Sequence, residues 1–383
     1  MKKGIFPTQK FEKFDTPFYY YDVKLLKQTL DIVKAETLKR GFVQHYAVNA
    51  NSRLLQIIAT AGFGADCVSG NEIKAALAAG FPSSKIVFAG VGKTDKEINF
   101  ALDSNIFCFN VESIPELEVI NELATKKGKI AQVALRINPN VDAHTHEYIT
   151  TGLNENKFGF NLSSLPTVLE LLKVLSSVEL VGIHCHIGSQ ITEVETFAPL
   201  YDKVNELQNF FEEKGFKLPH INLGGGYGID YDNPNDNPIS DFASYFDLFE
   251  KGLEVRKGQV VHFELGRAII AQCGSLISRV VYVKEGETKK FAILDAGMTD
   301  LIRPALYQAY HKVENISSEE AESQYDVVGP ICESSDCFVK DYTLNKTKRG
   351  DFIALRSAGA YGEIMASQYN CRELPKSYFS DTI

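Results

Sequence analysis

Short apolar runs rich in β-branched and aromatic residues alternate along the chain with longer stretches whose apolar residues recur at i, i+3, i+4 and i+7. Eight runs stand out: Val43–Ala50, Gly62–Ser69, Lys85–Gly90, Phe107–Ser113, Ala131–Pro139, Leu180–Gly188, His220–Tyr227 and Val260–Arg267. Between them, Asn71–Ala79, Pro115–Ala124, Leu165–Leu175 and Phe197–Lys214 carry the spacing of helices with one buried face. Strand–helix alternation implies parallel strands joined by crossover helices. Eight such units over roughly 225 residues match a (β/α)8 TIM barrel, whose usual size is about 250 residues. A doubly wound open sheet is the rival pattern.

After about residue 268 the rhythm changes. Ser275–Glu285, Lys289–Leu294, Tyr325–Val328 and Gly350–Leu355 read as strands without intervening helices, which predicts a mostly antiparallel C-terminal β domain. The opening Thr16–Tyr21 is strand-like too and is expected to join that sheet. The division expected is therefore a barrel over residues 24–266 and a β-sheet domain from residues 1–23 and 267–383. Asp230–Pro238 is polar and turn-rich, a candidate flexible lid.

Composition narrows the class. Of 383 residues, 44% are hydrophobic and 23% charged, which excludes a largely disordered chain. A net charge of −9 argues against nucleic acid as a partner, because phosphate binding needs a basic face. No run reaches the 18 or more apolar residues of a membrane span, and no apolar stretch follows Lys2 and Lys3 to make a secretory signal. The seven cysteines are scattered and include no C-x-x-C pair, so neither a zinc ribbon nor a disulfide framework is expected, and a reducing cytoplasm fits best.

In a barrel, chemistry sits at the C-terminal ends of the strands. The seventh run ends in Gly224-Gly225-Gly226-Tyr227-Gly228, and successive glycines let backbone N–H groups approach an anion such as a phosphate. The same glycines also suit a plain tight turn, and the spacing is not that of a dinucleotide fingerprint. The eighth run ends in Glu264-Leu265-Gly266-Arg267. A carboxylate there suits a cationic ring nitrogen of a cofactor, or is a satisfied rim glutamate, while Arg267 has the planar fork for a phosphate or carboxylate. His184 and His186 lie two apart in the sixth run. An H-x-H pair can bind metal, but no further ligand set is evident, so no metal is expected. One imidazole can instead stack on a flat cofactor, with Ser189 donating to a phosphate, or both histidines simply fill the barrel. Arg303 and Tyr307 flank a helix start marked by Pro304. Cys332 and Glu333 follow Gly329-Pro330 and so lie in a turn, as does Tyr361 in Gly359-Ala360-Tyr361-Gly362.

Taken in order, His45-Tyr46-Ala47-Val48-x-Ala50-Asn51, His184-x-His186-Ile-Gly-Ser189, Gly224-Gly-Gly226, Glu264-x-Gly266-Arg267, Cys332-Glu333-Ser334 and Gly359-Ala-Tyr361 span nearly the whole chain. The set resembles the alanine-racemase-like (fold type III) pyridoxal-phosphate decarboxylases, and among them the members that convert meso-diaminopimelate to L-lysine. The resemblance implies pyridoxal 5'-phosphate as cofactor, with His186 stacked on its ring and Glu264 paired with the ring nitrogen. Ser189, Gly226 and the backbone of Gly266 and Arg267 would hold the phosphate. Cys332 would donate a proton and Glu333 contact substrate, both supplied across the interface of a homodimer. Tyr361 would touch cofactor and substrate. Arg267, Arg303 and Tyr307 would bind the distal carboxylate of an amino-acid substrate, which separates a diaminopimelate enzyme from ornithine or arginine relatives, where a buried guanidinium would face no anion.

One position departs from the resemblance. Asn49 stands where the family has the lysine that links to the cofactor. An amide nitrogen is delocalised and neither makes that link nor shuttles protons. The chain as written is therefore expected to be crippled as a catalyst. Deliberate substitution, a modified lysine read as asparagine, and a natural non-catalytic regulatory homologue are the three origins left open.

Overall fold

The computed structural model describes residues 4–141 and 157–383. Packing of the backbone divides the chain into two units: Leu30–Gly228 with Asp241–Gly266, and Met1–Thr29 with Ile229–Ser240 and Arg267–Ile383. Among the described residues no helix is long and apolar enough to cross a membrane.

Strand β1 (Phe18–Tyr21) belongs to the second unit. The first unit contains β2 (Val43–Ala47), β3 (Gly64–Cys67), β4 (Ile86–Phe88), β5 (Cys108–Val111), β6 (Ala131–Arg136), β7 (Val178–His184), β8 (His220–Asn222) and β9 (Val260–Leu265), which close into a parallel barrel. Closure comes where β9 pairs with β2, in the register Val43 with His262 through Tyr46 with Leu265. All eight runs seen in the sequence are barrel strands, because strands covered on both faces read as continuous apolar stretches. The chain leaves the rim of the barrel into capped helices. Ser69 accepts from the Glu72 N–H, Thr94 makes a full capping box with Glu97, and Ser113 accepts from the Glu116 N–H ahead of a first-turn proline. Each cap contributes about 1 kcal/mol and fixes where the strand ends. Helix Phe242–Gly252 places Phe242, Tyr245, Phe246 and Phe249 at i, i+3, i+4 and i+7, and three of these rings pack on Phe263 of β9. Burying each such ring stabilises the unit by about 2 kcal/mol.

The barrel interior is unusually polar. His45, His262 and His220 form a file: His45 Nε2 lies 2.9 Å from His262 Nδ1, and His262 Nε2 lies 2.9 Å from His220 Nδ1. His45 Nδ1 faces the Lys85 carbonyl at 3.2 Å. A carbonyl only accepts, so His45 donates from Nδ1 and accepts at Nε2, and the same tautomer propagates along the file. All three rings are thus neutral Nδ1–H forms. Burial holds His45 down at about 4, against the pull of the Glu264 carboxylate. Burial and the two neighbouring rings push His262 down to about 2. The folded state therefore refuses protons that the unfolded chain takes up near pH 6.5, and stability falls as pH drops from 6.5 toward 4. From the His45 value, about 2 kcal/mol is expected to be lost between pH 7 and pH 5. Urea unfolding at the two pH values checks this. A His45→Gln variant that lost just as much as the parent would remove the file as the cause.

The second unit builds on β10 (Gly274–Glu285), β11 (Lys290–Leu294), β12 (Val313–Asn315), β13 (Glu322–Val328), β14 (Cys337–Asn345), β15 (Phe352–Leu355) and β16 (Lys376–Phe379). The strand order is β12-β15-β10-β11-β13-β14, and β1 pairs with β10 and β16. The sheet is antiparallel except where β1 meets β16 and β11 meets β13. As its sequence implied, the N-terminal strand joins this sheet, in the register Phe18 with Ile277 through Tyr21 with Gly274. Alternation splits its side chains: Phe18 and Tyr20 pack with Phe11, Ile277 and Phe352, while Tyr19 and Tyr21 hydrogen-bond to the Asp300 carbonyl and to Glu363. The polar segment Asp230–Pro238 is tied down rather than free. Asp230 Oδ1 accepts from the N–H groups of Asp232 and Asn233, and Gln272 donates to the carbonyls of Asp230 and Asn237.

Candidate active site

Inside the mouth of the barrel, Glu264 of β9 is the centre of a hydrogen-bond network. Its Oε1 accepts from the amides of Asn110 on β5 (3.1 Å) and Asn222 on β8 (2.6 Å), and its Oε2 accepts from His184 Nε2 at the end of β7 (2.8 Å). Period-two alternation aims these side chains inward from four strands. Burial alone would push the Glu264 carboxyl up, but His184, His45 and the Asn222 amide outweigh it and hold the group at about 2. Asp66 on β3 is half-buried and is pushed the other way, first by burial and then by the Glu264 charge. Of two neighbouring carboxyls, ionisation of one disfavours ionisation of the other. A carboxylate offers about four acceptor sites, and three of Glu264's are taken, which leaves one on Oε2 for a further donor.

Two glycine turns meet beside this network. Ile191 N–H donates to the Gly226 carbonyl (3.0 Å) and Gly228 N–H to the Ile191 carbonyl (2.9 Å), so the turn carrying Ser189 lies against the turn Gly224–Gly226. Gly226 has φ +109°, and a Cβ there would stand 2.6 Å from the Gly188 carbonyl oxygen; side chains are excluded by the backbone itself. The N–H of Gly224 is used by Asn222 Oδ1 and that of Gly225 by His186 Nδ1 (3.2 Å). The Gly226 N–H makes no hydrogen bond to a described residue. Because His186 accepts at Nδ1, its proton is on Nε2. Burial and the Arg136 charge push it down to about 3, so it presents a neutral ring. His186 lies beyond the last residue of β7, unlike His184, which ends the strand. The pair therefore does two jobs: one histidine orients Glu264, and the other is fixed by a glycine N–H.

Asn49 sits in the single 3-10 turn Val48–Ala50 directly after β2, exposed between two buried neighbours. The turn is anchored where the Tyr46 hydroxyl donates to the Asn51 carbonyl (2.9 Å). Gly266 is buried at the join between β9 and helix Arg267–Ile270. An acceptor aimed at a ring nitrogen, a neutral flat ring and a glycine N–H with capacity to spare are the fittings that a phosphorylated pyridine cofactor needs, and these barrel residues fit it.

The second unit gathers the arginines. Arg267 Nη1 donates to the Tyr231 hydroxyl (2.7 Å), and its guanidinium lies 5.0 Å from the centroid of the Tyr361 ring. Arg303 opens helix Arg303–Tyr307, stands 5.8 Å from the Tyr307 ring and donates from Nε to His311 Nε2 (3.3 Å). Arg303 is 7% exposed, and no described carboxylate lies within ion-pair distance of it. Burial, helped by the Arg267 charge, lowers Arg303 from its ordinary value. A buried guanidinium with no described carboxylate beside it, as at Arg303, calls for an anion. Cys332 and Glu333 are exposed in their turn, and Glu333 accepts from the Tyr369 hydroxyl (2.8 Å). Among the described residues, no hydrogen bond, ion pair or ring contact joins those two to the arginine group. Sequence reasoning missed Asp66, Asn110, Asn222, Tyr231 and His311. The first three are polar residues inside apolar strand runs, which is the signal they left.

Comparison with known proteins gives these groupings a family. Residues 27–271 match the family model described as pyridoxal-dependent decarboxylase, pyridoxal binding domain. The chain is 62% identical over 384 residues to a diaminopimelate decarboxylase of Bacteroides thetaiotaomicron, covering 100% of both chains. It is 41% identical over 377 residues to one of Aquifex aeolicus, covering 97% of this chain and 88% of that one. Among solved structures, diaminopimelate decarboxylase from Helicobacter pylori complexed with L-lysine superposes with a TM-score of 0.91 at 40% identity, over 97% of this chain and 93% of that one.

Proposed function

The chain belongs to the pyridoxal-dependent decarboxylases, whose cofactor is pyridoxal 5'-phosphate, and from that premise we propose that it is built to decarboxylate meso-2,6-diaminopimelate to L-lysine and carbon dioxide, the last step of lysine biosynthesis. The observation that carries the substrate is the buried Arg267 and Arg303 pair with its tyrosines, Arg303 having no carboxylate partner among the described residues. A substrate with one carboxylate to lose and a second to be held answers that pair. The product, L-lysine, retains the held carboxylate, in keeping with the L-lysine complex of the Helicobacter pylori relative.

Bound pyridoxal phosphate supplies an electron sink for the pair released with carbon dioxide. The chain's own residues do the rest. Glu264, ionised and oriented by Asn110, Asn222 and His184, favours a protonated ring nitrogen. His186 supplies the stacking face, while the Gly226 N–H and Ser189, with the backbone of Gly266 and Arg267, bind the phosphate. Arg267, Arg303 and Tyr307 orient the substrate by its distal carboxylate, and Tyr361 lies against Arg267. When the C–C bond breaks, carbon dioxide leaves and the carbon takes a proton. Cys332 delivers that proton and Glu333 contacts the substrate, both from a second copy of this chain in a homodimer. The exposure of their turn supports that reading.

The test is substrate choice. With residue 49 changed to lysine, carbon dioxide release from meso-diaminopimelate is expected to exceed that from ornithine or arginine by far more than tenfold, because neither of those offers the buried Arg303 a distal carboxylate. Faster release from ornithine would overturn the substrate reading. Asn49 itself favours a second reading, a chain that binds cofactor and ligand without turnover. Turnover by the unsubstituted chain at the rate of its lysine variant would end that one.

A further inference from the structure

We infer that His311 is a positioning residue for the distal carboxylate, setting the direction in which Arg303 presents its fork. The inference rests on the proposed role of the arginine pair and extends it to a residue that never touches the ligand.

His311 is 1% exposed and stands at the entrance to β12. Its Nδ1 lies 2.9 Å from the Arg356 carbonyl, which only accepts, so Nδ1 carries the proton. That leaves Nε2 as a lone-pair acceptor, aimed at Arg303 Nε at 3.3 Å. The Arg356 carbonyl is itself fixed. Arg356 N–H donates to the Lys312 carbonyl (2.8 Å), and β12 and β15 pair in register through Val313 and Leu355 just beyond. The sheet thus holds a carbonyl, the carbonyl sets the tautomer of an imidazole, and the imidazole occupies Nε of Arg303. With Nε taken, the two terminal nitrogens are the edge that remains for a bidentate carboxylate. Tyr231 completes the frame. Its ring meets His311 edge-on (5.2 Å, 84°), and its hydroxyl accepts from Arg267, so both guanidiniums are set by one cluster. The charged groups facing His311 are Arg303 and Arg267; burial and the Arg303 charge push the imidazole down to about 3. It stays an acceptor throughout the working pH range.

The test compares L-lysine with cadaverine, the same diamine chain without a carboxylate, as ligands of the cofactor-loaded protein by calorimetry. His311→Phe keeps the ring and removes both nitrogens. It is expected to weaken L-lysine about tenfold or more and leave cadaverine unchanged. His311→Gln can donate to Arg356 and accept from Arg303, and is expected to bind L-lysine within about threefold of the parent. The parent's preference for L-lysine is expected to be flat from pH 6 to 8. His311→Phe that binds L-lysine as the parent does, or that loses both ligands equally, overturns the inference. If His311→Phe does not fold, a folded His311→Gln that loses L-lysine tenfold overturns it as well. A parent that binds cadaverine as tightly as L-lysine defeats instead the carboxylate reading on which the inference stands, and the two failures are distinct.

Discussion

Replacing Asn49 by lysine is expected to raise carbon dioxide release from meso-diaminopimelate by on the order of 10²–10⁴-fold, the range that one positioned proton-transfer group contributes. The position is prepared for a longer side chain. Asn49 is exposed at the end of β2, while Val48 and Ala50 on either side are buried and hold the turn. The amide now there cannot bond to an aldehyde or carry a proton, since its nitrogen lone pair is delocalised. No neighbour substitutes for it. Arg53 carries a guanidinium, which offers hydrogen-bond donors and no free amine lone pair. Lys93 is buried, with its Nζ committed to the carbonyls of Gly90 (2.8 Å) and Asn110 (2.8 Å) and to Glu116 (2.6 Å). Because the site is exposed, the substitution is expected to change stability by less than about 0.5 kcal/mol. Steady-state release and the visible absorbance of a lysine-linked cofactor are the measurements. Equal rates with asparagine and lysine at position 49, or no such absorbance, would show that the link to the cofactor is made elsewhere.

The barrel was legible because its physics is repetitive. Eight strands buried on both faces leave eight apolar runs, and the helices between them leave a 3.6-residue period. What blurred was where the strands end. The seventh run reads through to Tyr227, yet β8 stops at Asn222 and the glycines form a turn. Glycines continue an apolar run on paper while ending it in space. In the second unit, β14 (Cys337–Asn345) went unseen because half of it is polar and solvated, so neither period stands out. The candidate site divides in the same way. Glu264, Gly226, His186 and the arginines could be named from local motifs. Asn110, Asn222 and Asp66 could not, since each is a lone polar residue whose partner lies on another strand, and only closure of the barrel brings the partners together. Tyr231 and His311 depend on the same kind of long-range contact. The segment that holds Tyr231 looked like a free lid because its composition is that of a turn, and nothing local announces that Gln272 will pin it.

Glu264→Gln in the Asn49→Lys protein is expected to cost about 10²–10³-fold in turnover, the size of effect seen when one preorganised electrostatic partner is removed. Glutamine keeps the shape, and its carbonyl can still accept from Asn110 and Asn222, so the barrel is expected to fold. What it lacks is charge. Glu264 is held at about 2 and is ionised at any working pH, whereas an amide gives no preference for a protonated ring nitrogen. The amide also faces His184 with a donor where an acceptor stood. His184 Nε2 would then have to accept, placing the proton on Nδ1, which is buried without a hydrogen-bond partner. A conflict of that kind is expected to cost about 1–3 kcal/mol in stability, a small effect beside the kinetic one. The charge lost from Glu264 has a further consequence at Asp66. Burial is the main cause that pushes the Asp66 carboxyl up, and the Glu264 charge is the next. Removing that charge therefore moves Asp66 toward ionisation and restores some negative charge to the barrel. Adding Asp66→Asn to Glu264→Gln is accordingly expected to lower turnover further, while Asp66→Asn alone, made where the Glu264 charge already opposes ionisation of Asp66, does much less. Turnover by Glu264→Gln within tenfold of the Asn49→Lys parent, with Asp66→Asn adding nothing, would remove Glu264 as the partner of the ring nitrogen.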